Sequence, residues 1–238
     1  MMDFLKSLFT LHAFLFILYA IGFTLLSSRF HHQSLLRRHT DDFRAFFLYF
    51  VFFFLFLLLI PVIAVFLFSP KPMDVLAGFG FRAGNYRLGL LAMVVSLPVA
   101  AVSGVFVVKD SKLNKFYPFS KSACTSSKKF ILYELFYLLF YYSAWEFTFR
   151  GFFLFSLFEL MNRTTTALIA AVLVQTIIST VYHLNHPTSE IVSSFIGGVI
   201  FGFLAYATGS FLYTLFIHAL IGIVNDTFLY FKRYRTAN

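Results

Sequence analysis

Charge is scarce in this sequence. Asp, Glu, Lys and Arg together make up 12% of its 238 residues, about half their share in an average soluble domain. That shortage excludes an ordinary soluble fold, which needs a charged surface to stay in water. Cysteine is nearly missing as well. Cys124 stands alone, so no intrachain disulfide can form and nothing about the redox compartment can be read. No internal repeat and no low-complexity tail interrupts the chain.

Apolar side chains fill the space that charge leaves. Hydrophobic residues are 60% of the chain and aromatic residues 21%, more than a soluble fold of this length could hide. Only a bilayer offers a solvent in which helices covered with Phe and Leu are stable. The 37 phenylalanines are read mainly as lipid-facing bulk. The formal charge of +9 and the pI of about 9.7 would suggest nucleic acid in a soluble protein. Here the basic residues lie in short loops between apolar runs, where positive charge sets topology and attracts anionic lipid. Membrane lipid, and not nucleic acid, is therefore the expected partner of this charge.

Charges punctuate the spans. None occurs between Lys6 and Arg29, Arg44 and Lys71, Arg87 and Lys109, or Arg163 and Glu190, and each gap exceeds the ~20 residues needed to cross the hydrocarbon core. Between Glu190 and Asp226 the stretch is long enough for two crossings, with a break at Gly209-Ser210. Residues 130–160 add another apolar stretch, which carries Glu134, Glu146, Arg150 and Glu159. The expectation is an all-α polytopic transmembrane helix bundle of 7–8 spans. The eighth would come from an interfacial turn inside 130–160. Residues 1–115 would hold spans 1–3 and a basic cytoplasmic loop, and residues 116–238 a core of transmembrane helices. The first apolar run is expected to be a retained helix, because it is long for a signal peptide and no A-x-A-like site follows it.

Loop charge orients this bundle. With the N-terminus outside, the inner face collects Arg29, Arg37, Arg38, Arg44, six lysines between Lys109 and Lys129, and Lys232, Arg233 and Arg235. The outer face keeps Lys6, Lys71, Arg82, Arg87 and Arg163. The imbalance predicts a multi-pass protein, N-out and C-in, in the cell's inner or plasma membrane. Ser194, Gly198 and Gly202 form a small-xxx-small stripe, read as a helix-packing surface.

An ionisable group within a span is costly, about 2.5–3.5 kcal/mol on insertion scales, so such groups face the bundle interior and find partners. Glu146 and Arg150 stand four apart in Trp145-Glu146-Phe147-Thr148-Phe149-Arg150-Gly151, on one helical face and about 5–6 Å apart at Cβ. They are either a structural ion pair or a carboxylate oriented by a guanidinium to act as a general base on water. Tyr182-His183-Leu184-Asn185-His186-Pro187 closes the fifth span, with Pro187 expected to end the helix. Its histidines could orient water, move a proton or bind metal, or simply form a polar helix end. His218 lies within an otherwise apolar span and shares a face with Asn225, two turns on, with Asp226 next to it.

A carboxylate and two imidazoles on separate helices could hydrolyse a peptide in the membrane. Glu146 would deprotonate water, His183 would bind that water and protonate the leaving amine, and His218 would stabilise the oxyanion. Zinc at Glu146, His183 and His218 is a second possibility, although no H-E-x-x-H is present. Proton-coupled transport is a third.

Together the segments W-E-F-T-F-R-G-F-F at 145–153, Y-H-L-N-H-P at 182–187 and I-H-A-L at 217–220 resemble, in order and separation, the CAAX-protease and bacteriocin-processing family of intramembrane glutamic endopeptidases. The stretch G-F-R-A-G-N-Y-R-L-G at 80–89 is similar to that family's usual lead-in. The resemblance implies an all-helical membrane domain with a polar chamber open to the cytoplasm, a glutamate-activated water without obligatory metal, and a peptide or protein substrate cut near the membrane. It places Glu146 and Arg150 in the first motif, His183 in the second and His218 in the third; Asn225, Asp226 and His186, close to them in the sequence, are supporting candidates. Two positions depart from the family pattern. Trp145 stands where the first of two paired glutamates is expected, and Gly222 where an Asn should follow His218. With W-E-F-x-F-R-G and Asp226, the chain resembles the family's sorting-type branch more than its prenyl-protein enzymes. A non-catalytic scaffold or immunity-type member that binds peptide in the same chamber is the alternative those two positions motivate.

Overall fold

The computed structural model describes residues 2–237, with side-chain surroundings for 10–233. Met1 and the side chains of Lys6 and Arg235, which entered the topology argument, lie outside the described residues. All regular structure among the described residues is helical, and the protein is an integral, multi-pass helical membrane bundle. Helix α1 (Met2–Ser27) leads through the short α2 (His32–Leu36) to α3 (Asp42–Phe68). Then come α4 (Pro72–Gly78), α5 (Tyr86–Lys109) and α6 (Ser111–Phe116). A polar loop leads into α7, which runs unbroken over 127–160. Helices α8 (Thr165–Val181), α9 (Thr188–Thr208) and α10 (Leu212–Ala237) complete the chain.

Five helices are long and apolar enough to cross a membrane, and the shorter apolar α8 and the long α7 accompany them. The outer surface is greasy: Leu67 is 72% exposed and Val102 70%, as lipid-facing positions should be. The buried seam is aromatic, built from Tyr19, Phe50, Phe53, Tyr141, Trp145 and Phe152, among others.

Helix α7 is not divided by the interfacial turn that an eighth span would need. Three α-helical stretches are joined by π-helical ones at Tyr137–Tyr142 and Phe147–Phe153, so the apolar run bulges instead of breaking. At about 1.5 Å per residue α7 is roughly 50 Å long, well beyond the ~30 Å hydrocarbon core. The helix is therefore longer than a perpendicular crossing needs, and Glu146 falls near its middle.

Pro61 in α3 shows how a local chemical gap ties helices together. A proline has no N–H to give the carbonyl four residues back, which frees the oxygen of Leu57. The helix relaxes into a π turn at Leu55–Leu59. Tyr19 of α1 and Thr148 of α7 both donate hydroxyl hydrogen bonds to Leu57 O, at 3.2 and 3.0 Å. An unpaired carbonyl in hydrocarbon is costly, so Pro61 gives α1 and α7 a fixed docking point, and Thr148 sits between Glu146 and Arg150.

The 80–89 stretch wraps around the junction of α9 and α10. Arg82 Nε donates to Gly209 O at 3.0 Å, Asn85 N to Thr208 O at 2.7 Å and Tyr213 Oη to Ala83 O at 2.7 Å. Gly84 has a left-handed backbone (φ 53°), and a Cβ there would collide with the Thr208 carbonyl. Gly209, also left-handed at φ 68°, ends α9, at the break expected from sequence. The small-residue stripe packs as read: a Cβ on Gly198 would lie 2.8 Å from Thr176, and one on Gly202 2.8 Å from Gln175, both on α8. Gln175 Nε2 also donates to Gly198 O at 2.9 Å.

Part of the loop between α6 and α7 is folded inward. Asp42, at the start of α3, accepts backbone hydrogen bonds from Lys121 at 2.6 Å and Ser122 at 3.3 Å. Arg233 donates to the carbonyls of Asn114 and Tyr117, each at 2.7 Å. Held at both ends, the loop delivers Tyr117 and Phe119 to the interior.

Candidate functional site

Glu146 and Arg150 project from α7 at the start of its second π-helical stretch, a kind of segment frequent at functional sites. Both are buried, at 0% and 3% exposure, with Arg150 Nη1 3.3 Å from Glu146 Oε1. The guanidinium also lies over the Phe201 ring, 5.6 Å from its centre. From α10, His218 reaches the same carboxylate: its Nδ1 donates to Glu146 Oε1 at 2.7 Å. In the neutral imidazole this leaves Nε2 as the lone-pair nitrogen. Glu146 Oε2 has no hydrogen-bond partner among the described residues.

A cavity of about 260 Å³ opens beside this group, lined by Trp145, Arg150, His183, His186, His218, Gly222, Asn225 and Asp226, among others. Glu146 lies behind that wall, and His218 spans the distance from it to the cavity. Helix α8 ends at Val181, and Pro187 caps α9 instead of closing α8. Both histidines thus ride a turn between two helices. The fixed φ of Pro187 suits that position at a helix start. His183 Nδ1 donates to Ser179 O at 2.9 Å, and the ring meets Trp145 edge to face at 5.2 Å.

The structure therefore gathers Glu146, Arg150 and His218 into one bonded cluster. It sets His183 and His186 across the same cavity, with Asn225 and Asp226 along its α10 wall. Asp226 lies beside Glu134 of α7, both carboxyl groups buried. At Gly222 a Cβ would coincide with the hydroxyl of Tyr142. That phenol fills the missing side chain's space, with its ring 4.8 Å from His218.

Three contributors escaped the sequence reading. Glu190, in the first turn of α9, accepts from His186 Nδ1 at 2.7 Å and from the Tyr117 hydroxyl, and its Oε1 lies 3.8 Å from His183 Nε2. Burial and the neighbouring Glu190 carboxylate hold the Tyr117 phenol well above its ordinary pKa, so it remains a donor. Tyr117 and Tyr142 carried no sequence signal. Glu190 did, through the H-x-x-H-x-x-x-E spacing of His183, His186 and Glu190. As for metal, His183, His186 and Glu190 are the one set of three such donors that lie within 4.8 Å of one another among the described residues; Glu146 and His218 are not part of it.

Fold and site together define a multi-pass membrane protein with a carboxylate–guanidinium–imidazole cluster beside an internal cavity. Residues 127–224 match the family model described as "Type II CAAX prenyl endopeptidase Rce1-like", a likeness to CAAX-type intramembrane proteases over the helices that hold the site. No curated protein and no solved structure matches the chain.

Proposed function

We propose that the protein is an intramembrane endopeptidase that cuts a membrane-associated peptide with a water activated by the Glu146–His218 pair. The observation that carries this reading is the 2.7 Å hydrogen bond from His218 to the fully buried Glu146. It couples a carboxylate to an imidazole on the wall of a cavity of about 260 Å³.

The proposed reaction follows from that coupling. The Glu146 carboxylate makes His218 Nε2 the basic atom, and Nε2 takes a proton from water as the oxygen attacks the scissile carbonyl carbon. Arg150 Nη1 lies 3.3 Å from Glu146 Oε1, and the imidazolium that forms is paired at once with that carboxylate. When the C–N bond breaks, Nε2 returns the proton to the leaving amine, which balances the step. His183 stands across the cavity, where it can hold the water before attack. This division of roles puts His218 in the proton path that the sequence alone gave to Glu146 and His183. The step is written without a metal. Asn225, Asp226 and His186 supply the polar lining around it. N-out and C-in orientation in an inner or plasma membrane, with lipid around the bundle, remains part of the proposal.

Purified protein in lipid vesicles, incubated with membrane-anchored candidate peptides, tests the reading. Wild type should release a fragment, while Glu146→Gln and His218→Ala should lose about 10²–10⁴ of the rate, the range attributed to one acid–base group. Equal cleavage in all three would end the proposal. A second reading has its own support, because Trp145 occupies a glutamate position of the family and the Tyr142 phenol fills the place beside Gly222. A peptide-binding scaffold without chemistry would keep its phenotype in Glu146→Gln and lose it when bulk is added at Gly198.

A further inference from the structure

We propose that the turn between α8 and α9 is a divalent metal site, with His183, His186 and Glu190 as ligands for a zinc-class cation. The inference goes beyond the proteolytic reading and does not depend on it. It starts from a hydrogen-bond accounting. Ser179 O can only accept, so the 2.9 Å contact with His183 Nδ1 fixes the proton on that nitrogen. The neutral ring then presents the lone pair of Nε2 to Glu190 Oε1, 3.8 Å away. Two acceptors cannot bond to each other. A cation between them would bond to both, with the two atoms drawing in from 3.8 Å to the roughly 3.3–3.6 Å that tetrahedral ligands about 2.0–2.2 Å from one ion require.

Other details agree. An imidazole that binds metal through one nitrogen ordinarily donates its other N–H to a carbonyl or carboxylate, and the His183–Ser179 bond has that form. Glu190 Oε2 is buried and has no partner among the described residues, so the carboxylate has unused coordinating capacity. One ligand atom from each of the three residues lies within 4.8 Å of the others, and His186 joins the ion by exchanging its 2.7 Å hydrogen bond to Glu190 Oε1 for coordination. Protonating His183 instead would add a cation to a cavity already lined by Arg150.

The donor set selects the class of ion. Two imidazoles and a carboxylate suit Zn²⁺ or Co²⁺, whereas Mg²⁺ and Ca²⁺ prefer all-oxygen shells. All three ligands come from an eight-residue stretch, H-x-x-H-x-x-x-E, folded by Pro187 into the start of α9. Binding would lock the α8–α9 turn and, through the Tyr117 hydroxyl on Glu190, the inward loop as well. With the ion in place, His183 would act on the cavity through the metal.

The test uses full-length protein in detergent, stripped with a chelator and titrated with Co²⁺, then with Zn²⁺ in competition. One Co²⁺ per chain should bind with a tetrahedral visible spectrum that Zn²⁺ abolishes and Mg²⁺ leaves unchanged. His183→Asn, His186→Asn and Glu190→Gln should each weaken binding at least about tenfold, the lower bound for losing even an outer-sphere partner. His186→Cys should retain binding and add a thiolate-to-cobalt charge-transfer band, an arm that stays decisive if another variant folds poorly. Binding is read on the wild-type protein whatever its peptidase activity, so failure of the protease reading leaves this one standing. Absence of stoichiometric binding by folded wild type, or full affinity in all three ligand variants, or no new band in His186→Cys, overturns the site.

Discussion

Glu146 and Arg150 offer a sharp test of how this bundle tolerates charge. At 3.3 Å, opposite unit charges attract by about 5 kcal/mol at an effective dielectric of 20. Most of that gain offsets the cost of removing both groups from water. Breaking one partner should therefore be expensive, about 3–5 kcal/mol, because an uncompensated buried charge remains. Replacing both with apolar isosteres should be nearly neutral. Glu146→Gln leaves Arg150 over the face of Phe201 without its carboxylate, and Arg150→Met leaves Glu146 with His218 but without its guanidinium. Each single variant is expected to lose about 3–5 kcal/mol, and Glu146→Leu with Arg150→Met about 1 kcal/mol or less. The coupling energy should thus be several kcal/mol. Reversible unfolding in mixed detergent micelles, run as a double-mutant cycle, measures it. Additivity within about 0.5 kcal/mol, the behaviour of independent sites, would show that the two residues do not compensate each other.

Gly222→Ala places a methyl where the Tyr142 hydroxyl sits; it should cost about 1–3 kcal/mol, as overpacking does, with Tyr142→Ala restoring thermal stability in the double variant. Gly198→Leu should push α8 and α9 apart at Thr176 and lower the unfolding midpoint more than Gly197→Leu, since a Cβ at Gly197 meets nothing within 4 Å. His32 lies outside the spans, and burial, followed by the nearby His31 and His186, pushes its pKa down from 6.5 to about 3. The unfolded chain therefore binds more protons between those values, so stability is full above about pH 6.5 and falls as pH drops toward 3. His32→Phe should flatten that part of a pH–stability curve, and an unchanged slope would refute the assignment.

Composition and charge spacing by themselves determined that this is a helical membrane bundle, because in hydrocarbon only an internally bonded backbone is stable and ~20 uncharged apolar residues make a span. The same logic picked out Glu146, Arg150, His183 and His218, since ionisable groups in such spans are too costly to be scattered. The break at Gly209 and the packing role of Gly198 and Gly202 were legible too, as local backbone geometry and absent side-chain volume act wherever they occur. Long-range choices were not. Whether α7 would bend or bulge depended on packing against α3, where the carbonyl freed by Pro61 finds Thr148, and no local pattern encodes that meeting. The pairing of His218 with Glu146 joins positions 72 apart, and the Tyr117 hydroxyl reaches Glu190 across 73. Glu190 looked like a charge marking the end of a span; only the turn at Pro187 carried it into the cavity beside two histidines. Residue type set what each group could do, and tertiary packing decided which groups met.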